Sequence, residues 1–188
     1  MMSCLKQLIL SMETEWMENN KKNWRYMGIA VVVIALLLGL DQWTKHLAVT
    51  HLKDQPNIVL IKGVLELEYL ENRGAAFGLL QNQQWLFVIL TVIFLCAALF
   101  VFWKLPKIRR FMPIYWVFVV LSAGAIGNFI DRITHKYVVD FVSFRLINFP
   151  IFNVADIFLT LSAATMFLLI LFVYKDEDYD KLFHKKEA

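Results

Sequence analysis

The sequence predicts a mainly α, integral membrane protein: a four-transmembrane-helix bundle with a small extracytoplasmic β element. Three observations carry that reading. Hydrophobic residues make up 59% of the 188 residues and the mean hydropathy is +0.56, above the roughly 45–50% apolar content of soluble domains. Four segments are long enough for a hydrocarbon core that takes about 20 apolar residues. The basic residues crowd into a few short regions.

The spans run roughly Met27–Val49, Trp85–Trp103, Met112–Ile130 and Ile151–Tyr174. The first has an uninterrupted apolar part only to Leu40, behind Lys21, Lys22 and Arg25, which is also the shape of a secretory signal peptide. No small-x-small cleavage site follows Leu40, and the pattern resumes through Trp43, Leu47 and Val49, so the segment reads as a retained span. Of 19 basic residues, Lys6, Lys21, Lys22 and Arg25 precede the first span. Lys104, Lys107, Arg109 and Arg110 follow the second, and Lys175, Lys181, Lys185 and Lys186 lie in the tail. The positive-inside bias puts these regions and both termini in the cytoplasm, with 50–84 and 131–150 outside. The expected division is a cytoplasmic N-terminal extension 1–26, a membrane domain 27–174 and a cytoplasmic tail 175–188.

In the outer segment 50–84, Asn57–Ile61 is rich in β-formers, and Leu65, Leu67 and Tyr69 alternate with Glu66 and Glu68. Lys62-Gly63 supplies the turn. Leu5, Leu8, Ile9, Met12 and Trp16 share one helical stripe, which suits an interfacial helix or a dispensable extension. Nothing points to nucleic acid: the net charge is only +3 and no basic stripe carries interleaved aromatics. No Cys/His cluster has metal-ligand spacing, so no metal or cofactor is expected. Cys96, midway along the second span, is expected to pack as a small hydrophobe.

Polar residues concentrate at one depth. At 1.5 Å per residue, Asp41 lies roughly 21 Å up the first span, with Lys45 one turn further. Asn128 lies roughly 24 Å up the third, with Asp131 and Arg132 at its outer end. Asp156 lies about 8 Å below Ile151 on the fourth. All fall in or near the outer third of a core about 30 Å thick. The second span carries no charge at all between Trp85 and Trp103.

Each group has an ordinary explanation. Asp41 and Lys45, at i and i+4, can neutralise one another. Asn128, Asp131 and Arg132 can form a helix-end network. Asn153 and Asp156 can cap the fourth helix. Ionisable groups at membrane depth are costly, however, and their convergence from three helices implies a site. Ala123 and Gly127, in small-xxx-small spacing, let a neighbouring helix approach.

No serine or cysteine there is a convincing nucleophile, and His135 sits in an outer loop. Paired carboxylates remain: Asp131, Asp140 and Asp156 are all on the outer side. Two aspartates held close share a proton near neutral pH, so one can activate water while the other donates a proton. Composition and spacing leave the choice among the three open.

The stretches DQWTK (41–45), ENRGAAFG (71–78), AGAIGNFIDR (123–132), VVDF (138–141) and FNVAD (152–156) together closely resemble the bacterial lipoprotein signal peptidases, signal peptidase II. The match runs from about Trp24 to Tyr174 with the motifs in the family's order, and five in register are highly specific. The resemblance implies a catalytic pair Asp140 and Asp156, supported by Asp41, Lys45, Asn72, Asn128, Asp131, Arg132 and Asn153. It implies four helices, cytoplasmic termini and an outer β-cradle in the bacterial cytoplasmic membrane. The implied activity is that of an aspartic endopeptidase acting on diacylglyceryl-modified prolipoproteins, cut before the lipidated cysteine. Its expected partners are lipidated prolipoproteins and membrane lipid, and the chain is expected to be a monomer. Arg73 stands where many members have threonine or asparagine, and the N-terminal extension is unusually long; neither touches the pair. The alternative is a small proton-coupled transporter, which calls for carboxylates through the full depth or inverted repeats. The inner two-thirds of these spans are bare.

Overall fold

Each predicted apolar run folds as a helix. A computed structural model describes residues 2–74, 80–105 and 108–178, with side chains from Trp24 onward except that of Lys104. The elements are α1 (Met2–His51), β1 (Ile58–Ile61), β2 (Leu65–Asn72), α2 (Gln84–Lys104), α3 (Met112–His135), β3 (Val138–Phe144) and α4 (Val154–Leu168). A π-helical turn, Leu169–Val173, extends α4. Among the described residues, four helices are long and apolar enough to cross a membrane: Trp24–His51 within α1, then Gln84–Trp103, Arg109–His135 and Val154–Val173. The side chains of the stripe Leu5–Trp16 and of the basic residues before Trp24 lie outside what is described, as do Lys107, Lys181, Lys185 and Lys186.

α3 is the centre of the bundle. Half of its most apolar window is buried, against 11% for α1 and 6% each for α2 and α4. The others leave most of their apolar surface outward, as lipid requires. Cys96 is among those outward residues, so it does not pack inside as expected. Small residues let α3 take the middle. A Cβ at Gly124 would sit 2.6 Å from the Ala155 carbonyl oxygen of α4, and one at Gly127 would sit 2.5 Å from Asp41 Oδ2 of α1. The close approach therefore falls at Gly124 and Gly127, one for each neighbouring helix, with Ala123 buried beside them. At the other end of the bundle, Phe111, Tyr115 and Val119 pack with Ala30, Leu105 and Tyr174. There Arg110 also pairs with Asp178 at 2.6 Å.

The β element has three strands where the sequence suggested two. The antiparallel order is β1-β2-β3, with Leu70 opposite Asp140 and Asn72 opposite Val138. Segment 131–150 read as an outer connection because Val138, Val139, Asp140 and Phe141 show no alternation. The strand is buried on both faces, which erases the period-2 signal.

The fourth helix starts at Val154, three residues later than Ile151. Phe152 is the reason: it bridges β3 at Val142, and its carbonyl accepts from the N–H groups of Phe141 and Val142 at 3.1 and 2.8 Å. The next residue, Asn153, caps α4 in a reciprocal box with Asp156. Strand pairing thus delivers the FNVAD segment to the VVDF strand.

Gly124→Ala tests the packing. Overpacking against a backbone carbonyl costs roughly 1–3 kcal/mol, so the variant is expected to unfold at lower temperature in detergent. Gly39→Ala, where a Cβ meets nothing within 4 Å, should leave the transition unchanged.

Candidate active site

The polar residues that share a depth in the sequence form two connected layers. The first is built on Lys45. Its ammonium lies 2.9 Å from Asp41 Oδ2, 3.0 Å from Asp131 Oδ2 and donates to Asn128 Oδ1 at 3.0 Å. All three side chains of this ion cluster are buried. Main-chain donors from other elements reach the same carboxylates. Asp41 Oδ1 accepts from the Ala155 N–H at 2.8 Å, and Asp131 Oδ2 from the Val139 N–H at 3.2 Å.

The second layer holds Asp140 of β3 and Asp156 of α4, and amides surround it. Asn72 Nδ2 donates to Asp140 Oδ2 at 2.8 Å, from the diagonal position across the β2–β3 ladder. Asn153 Nδ2 donates to Asp140 Oδ1 at 2.6 Å, while the Asn153 main-chain N–H donates to Asp156 Oδ2 at 3.1 Å. Asn128 Nδ2 donates to Asp156 Oδ1 at 2.8 Å. One residue, Asn153, therefore touches both carboxylates. Asn128 joins the layers, since its oxygen faces Lys45 and its nitrogen Asp156.

The carboxylates line a cleft of about 450 Å3 with Asn72, Asn128 and Arg132. Burial first, and then the neighbouring Asp156 carboxylate, push the Asp140 carboxyl up to about 7, against the pull of Asn72, Asn153 and Lys45. A proton held near neutrality on one of two adjacent carboxyls is what acid–base hydrolysis of an amide uses.

The nine residues that the resemblance implies for the site lie in this constellation or on its rim, but not every expected contact forms. Asp131 pairs with Lys45 of α1 and not with Arg132 in a helix-end network. Arg132 instead lies over the Phe87 ring, 4.7 Å from its centroid, and donates to the Asn128 carbonyl at 3.3 Å. His135 is exposed and stacks on Tyr137. Of ENRGAAFG, Ala75–Gly78 lie outside the described residues. Gln42 escaped notice: its Nε2 lies 3.0 Å from Asp131 Oδ1, 3.2 Å from Asp41 Oδ2 and 3.3 Å from the Gly127 carbonyl. An amide in the outer third of a span, beside Asp41 and Lys45, is the available signal for it.

Bundle and site together define a polytopic membrane protein with two carboxyl groups in an amide-lined cleft near the ends of its spans. The family model described as signal peptidase (SPase) II matches residues 33–172, and the chain belongs to that family. A lipoprotein signal peptidase of Streptococcus thermophilus (strain CNRZ 1066) is 45% identical over 157 residues, 82% of this chain and 97% of that protein. One from Streptococcus pyogenes serotype M3 (strain ATCC BAA-595 / MGAS315) is 38% identical over 149 residues, covering 79% and 95%. Two solved structures, each described as a bacterial membrane enzyme structure obtained by the in meso method, are 31% identical to it. Their TM-scores are 0.70 and 0.67; they cover 86% and 78% of this chain, and 94% and 95% of their own.

Lys45→Met should leave Asp41 and Asp131 facing each other without a cation. Removing one partner of a buried pair costs about 3–5 kcal/mol, so the variant is expected to unfold at markedly lower temperature. Adding Asp131→Asn should restore part of the loss, measured by thermal unfolding of both variants in one detergent.

Proposed function

We propose that the chain is a membrane aspartic endopeptidase that removes the signal peptide of diacylglyceryl-modified prolipoproteins, cutting before the lipidated cysteine. Asp140 and Asp156 are its catalytic pair. The observation that carries this reading is Asn153, which binds both carboxylates at once and so fixes two groups from separate elements in one cleft. Membership of a family whose relatives are named lipoprotein signal peptidases supports the substrate class.

The mechanism follows from a pair carrying one proton. The ionised carboxylate takes a proton from water as its oxygen attacks the scissile carbonyl carbon, and the protonated partner donates to the carbonyl oxygen. Collapse of the tetrahedral intermediate breaks the C–N bond, and a proton from the pair goes to the leaving amine. Asn72, Asn128 and Asn153 hold the carboxylates. Asp41, Lys45 and Asp131 hold the helices that present them, and Arg132 lines the rim. The cleft continues past Ile157, Thr160 and Leu161 along α4, whose outward face meets lipid. A diacylglyceryl group can therefore remain in the bilayer while the peptide bond beside it reaches the pair. The enzyme works as a monomer in the bacterial cytoplasmic membrane, its membrane domain spanning 27–174. Both termini, in segments 1–26 and 175–188, are cytoplasmic, and the site lies near the outer leaflet.

Asp140→Asn and Asp156→Asn should each nearly abolish cleavage of a lipidated prolipoprotein peptide while the protein folds and binds it. The double variant should be scarcely worse than either single one, because the pair acts as a unit. Asp131→Asn should chiefly lower thermal stability. Single-turnover cleavage by each variant, alongside unfolding, checks this; near-normal turnover in folded Asp140→Asn with a dead, folded Asp131→Asn would move the pair to Asp131 and Asp156.

The Asp140 carboxyl gives a pH signature. Its folded value stands near 7 against 3.8 as an ordinary carboxyl. Its contribution to stability is thus fully present below about pH 4 and lost as pH rises through about 7. Wild type should lose melting temperature over that window relative to Asp140→Asn, which cannot titrate there. Parallel slopes for the two proteins would contradict this.

A further inference from the structure

A second groove, of about 580 Å3, lies where the start of α2 meets the end of α3, and shares only Arg132 with the carboxylate cleft. Its polar wall carries three cations, Arg73, Arg132 and Lys136, and no carboxylate among the described residues. Glu71 pairs with Arg73 at 3.1 Å but also with Lys53 at 3.3 Å, so one anion is divided between two cations. Arg132 makes no ion pair within 4.0 Å among the described residues. α2 adds to the positive field: its Gln83 cap makes no side-chain hydrogen bond, and its first turn has no acidic residue.

Two buried atoms in this wall lack partners among the described residues, Gln84 Oε1 and Arg132 Nε. One is an acceptor and the other a donor. Together they ask for a ligand that carries both an anionic oxygen and a hydroxyl. Apart from Asn82, the rest of the groove is apolar, with Trp85 and Ile89 outward on α2 at 62% and 47% exposure. Those side chains lead away from the cations along a helix that carries no charge up to Trp103. A charged head at a helix end with an apolar track below it has the shape of a phospholipid. On the topology proposed above these cations also stand on the side where the positive-inside bias disfavours them, so they call for a local reason.

We propose that this groove seats an anionic phospholipid with a hydroxyl-bearing headgroup, its phosphate among Arg73, Arg132 and Lys136 and its acyl chains along Trp85 and Ile89. The inference is independent of the cleavage reaction, because binding can be read without substrate.

The experiment is a lipid titration of purified full-length protein in detergent, followed by native mass spectrometry. The probes are phosphatidylglycerol, phosphatidylcholine and inorganic phosphate. Wild type and Arg73→Gln/Lys136→Asn are compared; Asn suits position 136, where φ is 67°. Wild type should retain phosphatidylglycerol about tenfold more strongly than phosphatidylcholine, and the double variant should lose most of that preference. Its melting temperature in phosphatidylcholine alone should match wild type. If the double variant fails to fold, single Lys136→Asn carries the test and should weaken the preference about threefold. Equal retention of the two lipids by wild type, or an undiminished preference in a folded variant, overturns the proposal. So does ready displacement of phosphatidylglycerol by excess inorganic phosphate, which would assign the cations to a free anion.

Discussion

Everything at the end of this bundle hangs on one buried ammonium. Lys45 binds Asp41 on its own helix and Asp131 and Asn128 on α3. The two aspartates pass the connection on, Asp41 to the first turn of α4 and Asp131 to β3, through main-chain N–H groups. Four elements are therefore tied to a single charge cluster. A buried ion pair is weak evidence for stability, because desolvation offsets most of its attraction. Its use here is geometric. In hydrocarbon no water stands ready to replace a lost partner, so a cluster with its oxygens satisfied admits few arrangements of the helices around it.

The same cluster explains why the two layers differ. The cation goes to Asp41 and Asp131, while Asp140 and Asp156 receive amide and main-chain donors in its place. An amide donor orients a carboxylate without supplying the full opposite charge that would hold it ionised. The Asp140 carboxyl, buried beside another acid, accordingly sits high. Asn128 and Asn153 transmit the rigidity of the first layer to the second without transmitting the charge. Gln42 does similar work one layer down, an uncharged donor against both aspartates of the ion cluster.

The four spans were legible in the sequence because lipid demands length and apolarity, and the polar residues that converge were legible because charge in such spans is rare. The choice of Asp140 and Asp156 as the proposed pair came from the resemblance, since spacing alone left Asp131 in contention. What the sequence hid was tertiary. β3 is covered on both faces and shows no alternation, so its strand character went unread. Asp131 and Arg132 are adjacent in sequence and of opposite charge, yet adjacent residues on a helix point about 100° apart. Asp131 accordingly faces α1 and finds Lys45, while Arg132 turns to Phe87 of α2.

That last contact defines what α2 contributes. It has the highest mean hydropathy of the four spans, 2.9, and only 6% of its most apolar window is buried. Among the described residues it gives no ionisable side chain to the carboxylate cleft. Through Phe87 it offers a cation an aromatic face, which attracts the guanidinium without forming an ion pair. Arg132 is thereby held at the boundary between two grooves, its Nη1 on the Asn128 carbonyl and its charge close enough to interact with Asp156, Asp140 and Asp131. Had α2 placed a carboxylate at position 87, an ion pair would satisfy Arg132 and withdraw its field from the site. An apolar helix with one ring at the right depth leaves that field available, and this is why the uncharged span belongs to the site as much as the three that carry its polar groups.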